Sequence, residues 1–232
     1  MIDLNAVETG LPMQVEPWLE LSLPPNIIKY LWETVEKGEE RGKCMKSTLA
    51  GNISTSFDLI DENNYFYHEV LEPLVNAYMT NVVDARSDCR VPSLAVDVDG
   101  NPLKVTKQSI VLTSFWANYQ YKHEFNPAHD HGGAFSFVIW LKIPYSWKEQ
   151  KKLPQFKGTK DNQKVAGSFY FDHLTMFGKP TTTLYPLDET MEGKMLFFPA
   201  NLRHGVQPFY ECDEKRVSIS GNLDFLFQYE KA

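Results

Sequence analysis

Two of the six histidines in this 232-residue sequence flank one aspartate in NPAHDHGG, as His129-Asp130-His131. On an extended segment residues i and i+2 project to the same side. His129 and His131 can therefore aim two imidazoles at one point, with Asp130 facing away. A bend at Gly132-Gly133 would instead carry Asp130 inward, because glycine adopts backbone conformations closed to other residues. Imidazole nitrogens and carboxylate oxygens are both donors for a divalent first-row transition metal. By itself a His-Asp-His run is more often a hydrogen-bonded surface cluster than a metal site.

The distal part of the chain weighs against that bland reading. In MLFFPANLRHGVQPF, His204 follows an apolar strand, a proline-containing turn and a short strand-like stretch. Further on, Val217, Ile219 and Gly221 alternate with Arg216, Ser218 and Ser220. On a half-buried strand Arg216 and Ser218 share a face. A guanidinium and a hydroxyl so placed can grip a carboxylate through charge-assisted hydrogen bonds.

In this combination the chain resembles the 2-oxoglutarate/Fe(II)-dependent oxygenase superfamily. There a His-X-acid pair and a distal His form a facial triad with open metal positions. An Arg or Lys beyond the distal His, often followed two places later by Ser or Thr, binds the far carboxylate of 2-oxoglutarate. Here Arg216 stands 12 positions after His204 and Ser218 follows it.

The likeness is closer to a bacterial and phage branch with a His-X-His motif. Its residues here are Trp116-Ala117-Asn118, Asn126, His129-Asp130-His131, Ser136-Phe137-Val138, Phe198-Pro199, Leu202, His204 and RVSISGN (216–222), with Gly221 before Asn222. It covers roughly 109–227, and LAGNISTSFDL (49–59) is similar to phage members of the branch.

The resemblance implies a double-stranded β-helix of the jelly-roll kind, Fe(II) and 2-oxoglutarate as cofactors, and O2 as co-substrate. It implies hydroxylation of a peptidyl or small-molecule C–H bond, with prolyl hydroxylation the nearest named reaction. It puts the metal on His129, His204 and either His131 or Asp130, and 2-oxoglutarate on Arg216 and Ser218. One departure stands out: the usual second ligand at i+2 is an acid, and here it is His131. An all-histidine site, a site completed by Asp130, and a metal site without oxygenase activity all remain open. Strand alternation favours the first, and the usual triad chemistry keeps the second alive. The competing functions are a catalytically silent metal-binding or structural β-helix protein of phage origin and a nucleobase demethylase.

These residues need a scaffold, and the pattern from about residue 90 supplies one. SIVLTSFWANYQY (109–121), AFSFVIWLKI (134–143), GSFYFDH (167–173), TTTLYPL (181–187), GKMLFFPA (193–200) and RVSISGNLDFLF (216–227) read as short strands. Many short strands separated by turns indicate a sandwich or barrel. Ahead of them, VEPWLELSL (15–23) has strand composition. PPNIIKYLWETVEKGEE has Ile27, Ile28, Leu31 and Val35 near helical spacing behind Pro24-Pro25, a helix-start signal. A second helix is expected over 63–83, with Pro73 kinking it or starting a turn. The whole reads as one mainly β domain over 1–232, with helical support in 1–90 and the β-helix core in 109–227. The lysine-rich stretch 146–166 reads as a mobile loop near the pocket mouth.

Other residues carry weaker signals. Trp116, Asn118, Tyr119 and Tyr121 either line the pocket or pack within the sheet. Asn126 and Ser136 can fix an imidazole tautomer. His123 and His173 read as locally satisfied groups and His68 as structural.

The composition excludes some classes. Thirty acidic residues against 23 Lys+Arg give a formal charge of -7, which disfavours nonspecific nucleic-acid or membrane binding. Cys44, Cys89 and Cys212 are far apart and odd in number, which disfavours a disulfide scaffold or thiolate zinc site. A reducing compartment follows, the cytoplasm or, for a viral protein, the host cytoplasm. The expected partners are a small-molecule or peptide substrate and O2.

Overall fold

The computed structural model describes residues 18–45, 51–81, 95–175 and 178–231. The expected strand at 15–23 appears as β1 (Leu19–Ser22), its first residues lying outside the described ones. Helix α1 (Pro25–Arg41) starts at the proline pair and stops at Gly42. Proline suits a first turn, where its missing N–H leaves no bond unmade. Gly42 takes φ +65° and its N–H returns to the carbonyls of Gly38 and Glu39, a left-handed helix stop that glycine adopts without strain. The buried face is Ile27, Leu31, Thr34, Val35 and Gly38, one stripe at helical spacing.

After β2 (Thr55–Asp58), the second helical stretch is less regular than its sequence suggests. It opens with a 3-10 turn at Glu62–Asn64, widens into a π-type turn at Tyr67–Leu71, and continues as α2 (Glu72–Asn81). Asp61 organises this start. Its carboxylate accepts the backbone N–H groups of Phe66 and Tyr67 at 2.9 and 2.8 Å, meeting donors that a helix start leaves open. Pro73 sits at the junction of the two helical forms, and residues 82–83 lie outside the described set.

The remaining strands are β3 (Ala95–Val96), β4 (Pro102–Gln120), β5 (Asn126–His129), β6 (Phe135–Lys142), β7 (Ser168–Leu174), β8 (Pro180–Pro186), β9 (Lys194–Pro199), β10 (His204–Val206) and β11 (Arg216–Lys231). One sheet runs β1-β9-β6-β11-β4-β2, with β3 beside β4; the other runs β5-β10-β7-β8. From β4 onward the chain passes between the sheets so that β4, β6, β9 and β11 fall in the first and β5, β7, β8 and β10 in the second. The pairings are antiparallel. This is the topology of a double-stranded β-helix.

Strand alternation then sorts the side chains into layers. Odd-numbered residues of the first sheet (Phe115, Ala117, Phe137, Ile139, Phe197, Val217, Ile219) share a core with Ile27, Leu31, Phe66 and Leu71 from the helical region. Even-numbered ones (Val138, Trp140, Leu196, Phe198) pack with Phe169 and Phe171 of the second sheet. The first sheet is thus covered by helices on one face and by the second sheet on the other, which is why β6 is buried along nearly its whole length.

Residues 146–166 are not a structureless loop. They contain α3 (Trp147–Gln150) and two 3-10 turns, Pro154–Phe156 and Asp161–Gln163. The buried Gln150 side chain donates to Tyr210 O and accepts from Tyr210 N, both at 2.8 Å. Cys44 and Cys212 are not in disulfides, and Cys89 lies outside the described residues. Among the described residues no helix is long and apolar enough to cross a membrane.

Gly221 marks the tightest approach in the central strand. A Cβ there would lie 2.6 Å from Phe137 Cζ and 2.7 Å from the Ser114 carbonyl oxygen. The carbonyl belongs to a paired strand and cannot withdraw. Gly221→Ala should destabilise the protein by about 2 kcal/mol through overpacking. In urea unfolding the midpoint should fall with the slope unchanged, and an unshifted midpoint would contradict the packing described.

Candidate metal and carboxylate site

A cavity of about 120 Å³ lies between the sheets. Its floor is the first sheet, whose register sets a polar row. Arg216 pairs with Gln120, Ser218 with Asn118 and Ser220 with Trp116, while Trp140 and Val138 flank Ser218 and Ser220 from β6. Trp116, Asn118, Arg216, Ser218 and Ser220 line the cavity, opposite His129, His131 and His204 from β5 and its exit and from β10.

The three histidines converge, each offering a ring nitrogen within 4.8 Å of the others. His129 and His204 are directly paired across β5 and β10. Strand β5 ends at His129, so alternation alone does not carry His131 inward. A backbone hydrogen bond from His131 N to Ala200 O (2.9 Å) holds it. The chain then leaves through Gly133 at φ +98°, where a Cβ would meet Leu223 O at 2.8 Å; only glycine fits there. Asp130, between the two histidines, is exposed and outside the converging trio.

The tautomers of two rings are set by the backbone. His129 Nδ1 lies 2.7 Å from Pro127 O, and His204 Nδ1 lies 2.8 Å from Leu202 O. A carbonyl only accepts, so each Nδ1 carries the proton and each Nε2 keeps its lone pair. This is the arrangement of metal-binding imidazoles. Burial pushes the His204 pKa down to about 3 and the His131 pKa to about 4, with the neighbouring histidines adding repulsion. Burial also lowers His129. All three are neutral near pH 7 and available as ligands.

Arg216 has the opposite problem. Only 2% exposed, its guanidinium donates to the Tyr145 hydroxyl at 2.9 Å and to the Gln120 side-chain oxygen. Both partners are neutral, and Arg216 Nε has no partner. A buried cation without an anion is costly. Ser218 lies on the same face two residues along, so a carboxylate entering the cavity would meet both. Trp116 Nε1 and Asn126 Oδ1 are likewise buried and unpartnered. Each such atom costs about 1–3 kcal/mol. Together with Arg216 Nε they are the unmet buried side-chain atoms among the described residues, and all line this cavity. The donor set therefore fits a divalent metal, and the cation with its unmet donor fits an anionic co-ligand.

Of the residues singled out in the sequence, Trp116 and Asn118 line the cavity, whereas Tyr119 faces the helices and donates to Glu39 at 2.6 Å. Tyr121 is exposed. Asn126 Nδ2 lies 3.4 Å from His129 Nε2. Ser136 donates to Asn222 at 2.7 Å rather than to an imidazole. His123 packs on Tyr210, His173 lies 2.9 Å from the Thr183 hydroxyl, and His68 pairs with Glu72 at 3.0 Å. No residue of 146–166 lines the cavity; Gln150 ties that segment to Tyr210. Gln120 and Tyr145, which hold Arg216, were not anticipated. Gln120 shares the alternation of Trp116 and Asn118, a signal that would have found it; Tyr145 lies past the end of β6 and had none.

Residues 114–222 match the family described as "Putative 2OG-Fe(II) oxygenase". No curated protein matches the sequence. Among solved structures, the chain is similar to an oxidoreductase of the 2OG-Fe(II) oxygenase family from Burkholderia pseudomallei, with 17% identity and a TM-score of 0.35. That match covers 51% of this chain and 47% of the other, about half of each. It is similar to a Pseudomonas putida prolyl-4-hydroxylase, with 13% identity, 93% of both chains covered and a TM-score of 0.48. It is also similar to a prolyl hydroxylase from Trichoplax adhaerens, with 10% identity, 91% and 83% covered and a TM-score of 0.44.

The depressed histidines make acid stability a test of the site. His131 and His204 titrate at about 4 and about 3 in the fold, against 6.5 ordinarily. Between these limits the unfolded chain binds more protons than the native one. The stability they contribute is complete above about pH 6.5 and is lost as pH falls toward 4. The melting temperature of metal-free protein should therefore drop between pH 7 and 4.5, and less steeply in His131→Asn. Equal slopes for the two proteins would refute the buried, neutral state of His131.

Proposed function

We propose that this chain, whose residues 114–222 match the family described as "Putative 2OG-Fe(II) oxygenase", hydroxylates a C–H bond of a peptidyl or small-molecule substrate. In this reading His129, His131 and His204 hold the metal, and Arg216 and Ser218 hold 2-oxoglutarate. The observation that carries it is the facing of three neutral imidazoles and one buried, uncompensated guanidinium across a single cavity.

When bound, Fe(II) and 2-oxoglutarate supply the oxidising power for O2-dependent hydroxylation. The chain's own residues position and insulate. His129 and His204 present Nε2 because their Nδ1–H groups are engaged by Pro127 and Leu202. Arg216, fixed by Gln120 and Tyr145, takes the far carboxylate as a charge-assisted pair, and Ser218 adds a hydroxyl. Val138, Trp140, Phe169 and Phe198 give the cavity apolar walls that limit water near the reacting centre. Three neutral imidazoles leave the full metal charge uncompensated, a setting that a dianionic co-ligand balances. His131 is preferred to Asp130 because its ring is in the converging trio. A prolyl side chain is the finer substrate candidate, drawn from analogy with the superfamily alone. The second reading, a silent metal-binding β-helix protein such as a phage accessory protein, draws on the histidine in place of the usual acid. A nucleobase substrate is disfavoured by the acidic balance of the chain.

Metal titration separates these readings. His204→Ala and His131→Ala should each weaken Fe(II) binding by roughly 100-fold or more, beyond the loss typical of an outer-sphere partner, while Asp130→Asn changes it little. The reverse ranking of His131 and Asp130 would install the carboxylate as ligand. Wild-type protein should also convert 2-oxoglutarate to succinate under Fe(II) and O2, and Arg216→Lys should raise the 2-oxoglutarate requirement because the planar fork is lost. Metal binding without succinate formation would favour the silent protein.

A further inference from the structure

Of the three unmet buried atoms at the cavity, two are donors, Arg216 Nε and Trp116 Nε1, and one, Asn126 Oδ1, is an acceptor. Such atoms in a native fold call for a partner. At neutral pH 2-oxoglutarate offers only acceptors, two carboxylates and a carbonyl oxygen. It can therefore satisfy the two donors but not Asn126. The donors stand at different ends of one polar row. Arg216 is opposite Gln120, and Trp116 is opposite Ser220, four residues along the same face. The Trp116 ring centroid is 5.8 Å from that of His131, which puts it beside the histidine cluster. A dicarboxylate gripped at its far end by Arg216 and Ser218 would turn its other carboxylate toward the histidines and Trp116.

Packing alone does not explain a tryptophan here. Trp116 is 4% exposed, and a phenyl ring would fill much of the same space without burying an unmet N–H. Trp18 shows the usual solution, its Nε1 donating to the Tyr185 hydroxyl at 2.7 Å. We propose that the Trp116 indole N–H donates a hydrogen bond to the 1-carboxylate of 2-oxoglutarate, making Trp116 a cosubstrate-binding residue beside the metal. This rests on the Fe(II)/2-oxoglutarate reading of the same cavity.

Trp116→Phe keeps an aromatic ring and removes the donor. Anaerobic titration of the Fe(II)-loaded protein with 2-oxoglutarate, read by the visible charge-transfer band of the complex, should show Kd raised about tenfold, the loss expected for one charge-assisted bond. Fe(II) affinity without 2-oxoglutarate should be unchanged. Succinate semialdehyde keeps the far carboxylate and the carbonyl but lacks the 1-carboxylate, so its affinity, read by thermal shift, should be nearly equal in the two proteins. An unchanged Kd for 2-oxoglutarate overturns the proposal and leaves the N–H to the substrate; an equal loss for the semialdehyde overturns it too. Wild-type protein that binds Fe(II) but develops no band overturns the cofactor reading itself, a different failure from a band that Trp116→Phe leaves unmoved. Should the variant not fold, the Zn(II)-substituted wild-type protein with 15N-labelled indoles carries the test. The Trp116 indole proton, assigned through its proximity to His131, should move downfield on adding 2-oxoglutarate, and a stationary signal overturns the proposal.

Discussion

A slip of β11 by one residue against β4 and β6 would turn Arg216, Ser218 and Ser220 toward the helices and bring Val217 and Ile219 into the cavity, because successive side chains point to opposite faces. The register resists this from both sides. The helix face of β11 inserts Val217 and Ile219 into a core that includes Phe115, Phe137 and Leu31, and burying a guanidinium there would be prohibitive. Gly221 sharpens the register further, since the chain beside Phe137 and Ser114 leaves no room for a side chain. Apolar packing on the helix face thus decides which polar groups face the cavity.

That cavity carries unmet polar interactions that the rest of the fold tolerates. Three imidazoles are kept neutral by burial, and one cation is kept in place by neutral partners. Tyr145 illustrates the division of labour: it accepts from Arg216 and donates to Gly167 O at 2.9 Å, fixing the guanidinium without cancelling its charge. A carboxylate in the place of Tyr145 or Gln120 would stabilise the empty protein and compete with an anionic ligand. Among the described residues the unmet buried side-chain atoms gather at this one cavity, and such local violations are what functional or strained places in a fold carry.

The second sheet contributes precision with little material. Strands β5 and β10 are only four and three residues long, yet their pairing sets His129 against His204. Both histidines lend their Nδ1 protons to carbonyls two residues earlier in the chain, so each ring is oriented by its own local backbone. His131 depends instead on Ala200, from the turn after β9. The third imidazole is therefore tied to the first sheet's chemistry of strand ends rather than to its own strand.

Much of this was legible in the chain itself. Strands β4, β6, β7, β8, β9 and β11 follow runs of β-branched and aromatic residues, and α1 follows its proline start and its apolar stripe. The order of His129, His131, His204, Arg216 and Ser218 carried the resemblance, and alternation correctly separated Arg216 and Ser218 from Val217 and Ile219. These are local signals, written in spacing of two or of three and four. What the tertiary structure decided is what spacing cannot hold. Strands of three or four residues such as β2, β5 and β10 have too few positions to show a period. The faces of Trp116 and Tyr119 depend on which side of β4 receives the helices. The hold of Gln120 and Tyr145 on Arg216 joins residues 96 and 71 positions apart, and Gln150 reaches Tyr210 across 60. Such contacts exist only once the two sheets have closed on each other, because it is closure that brings together groups whose separation along the chain has no bearing on their chemistry.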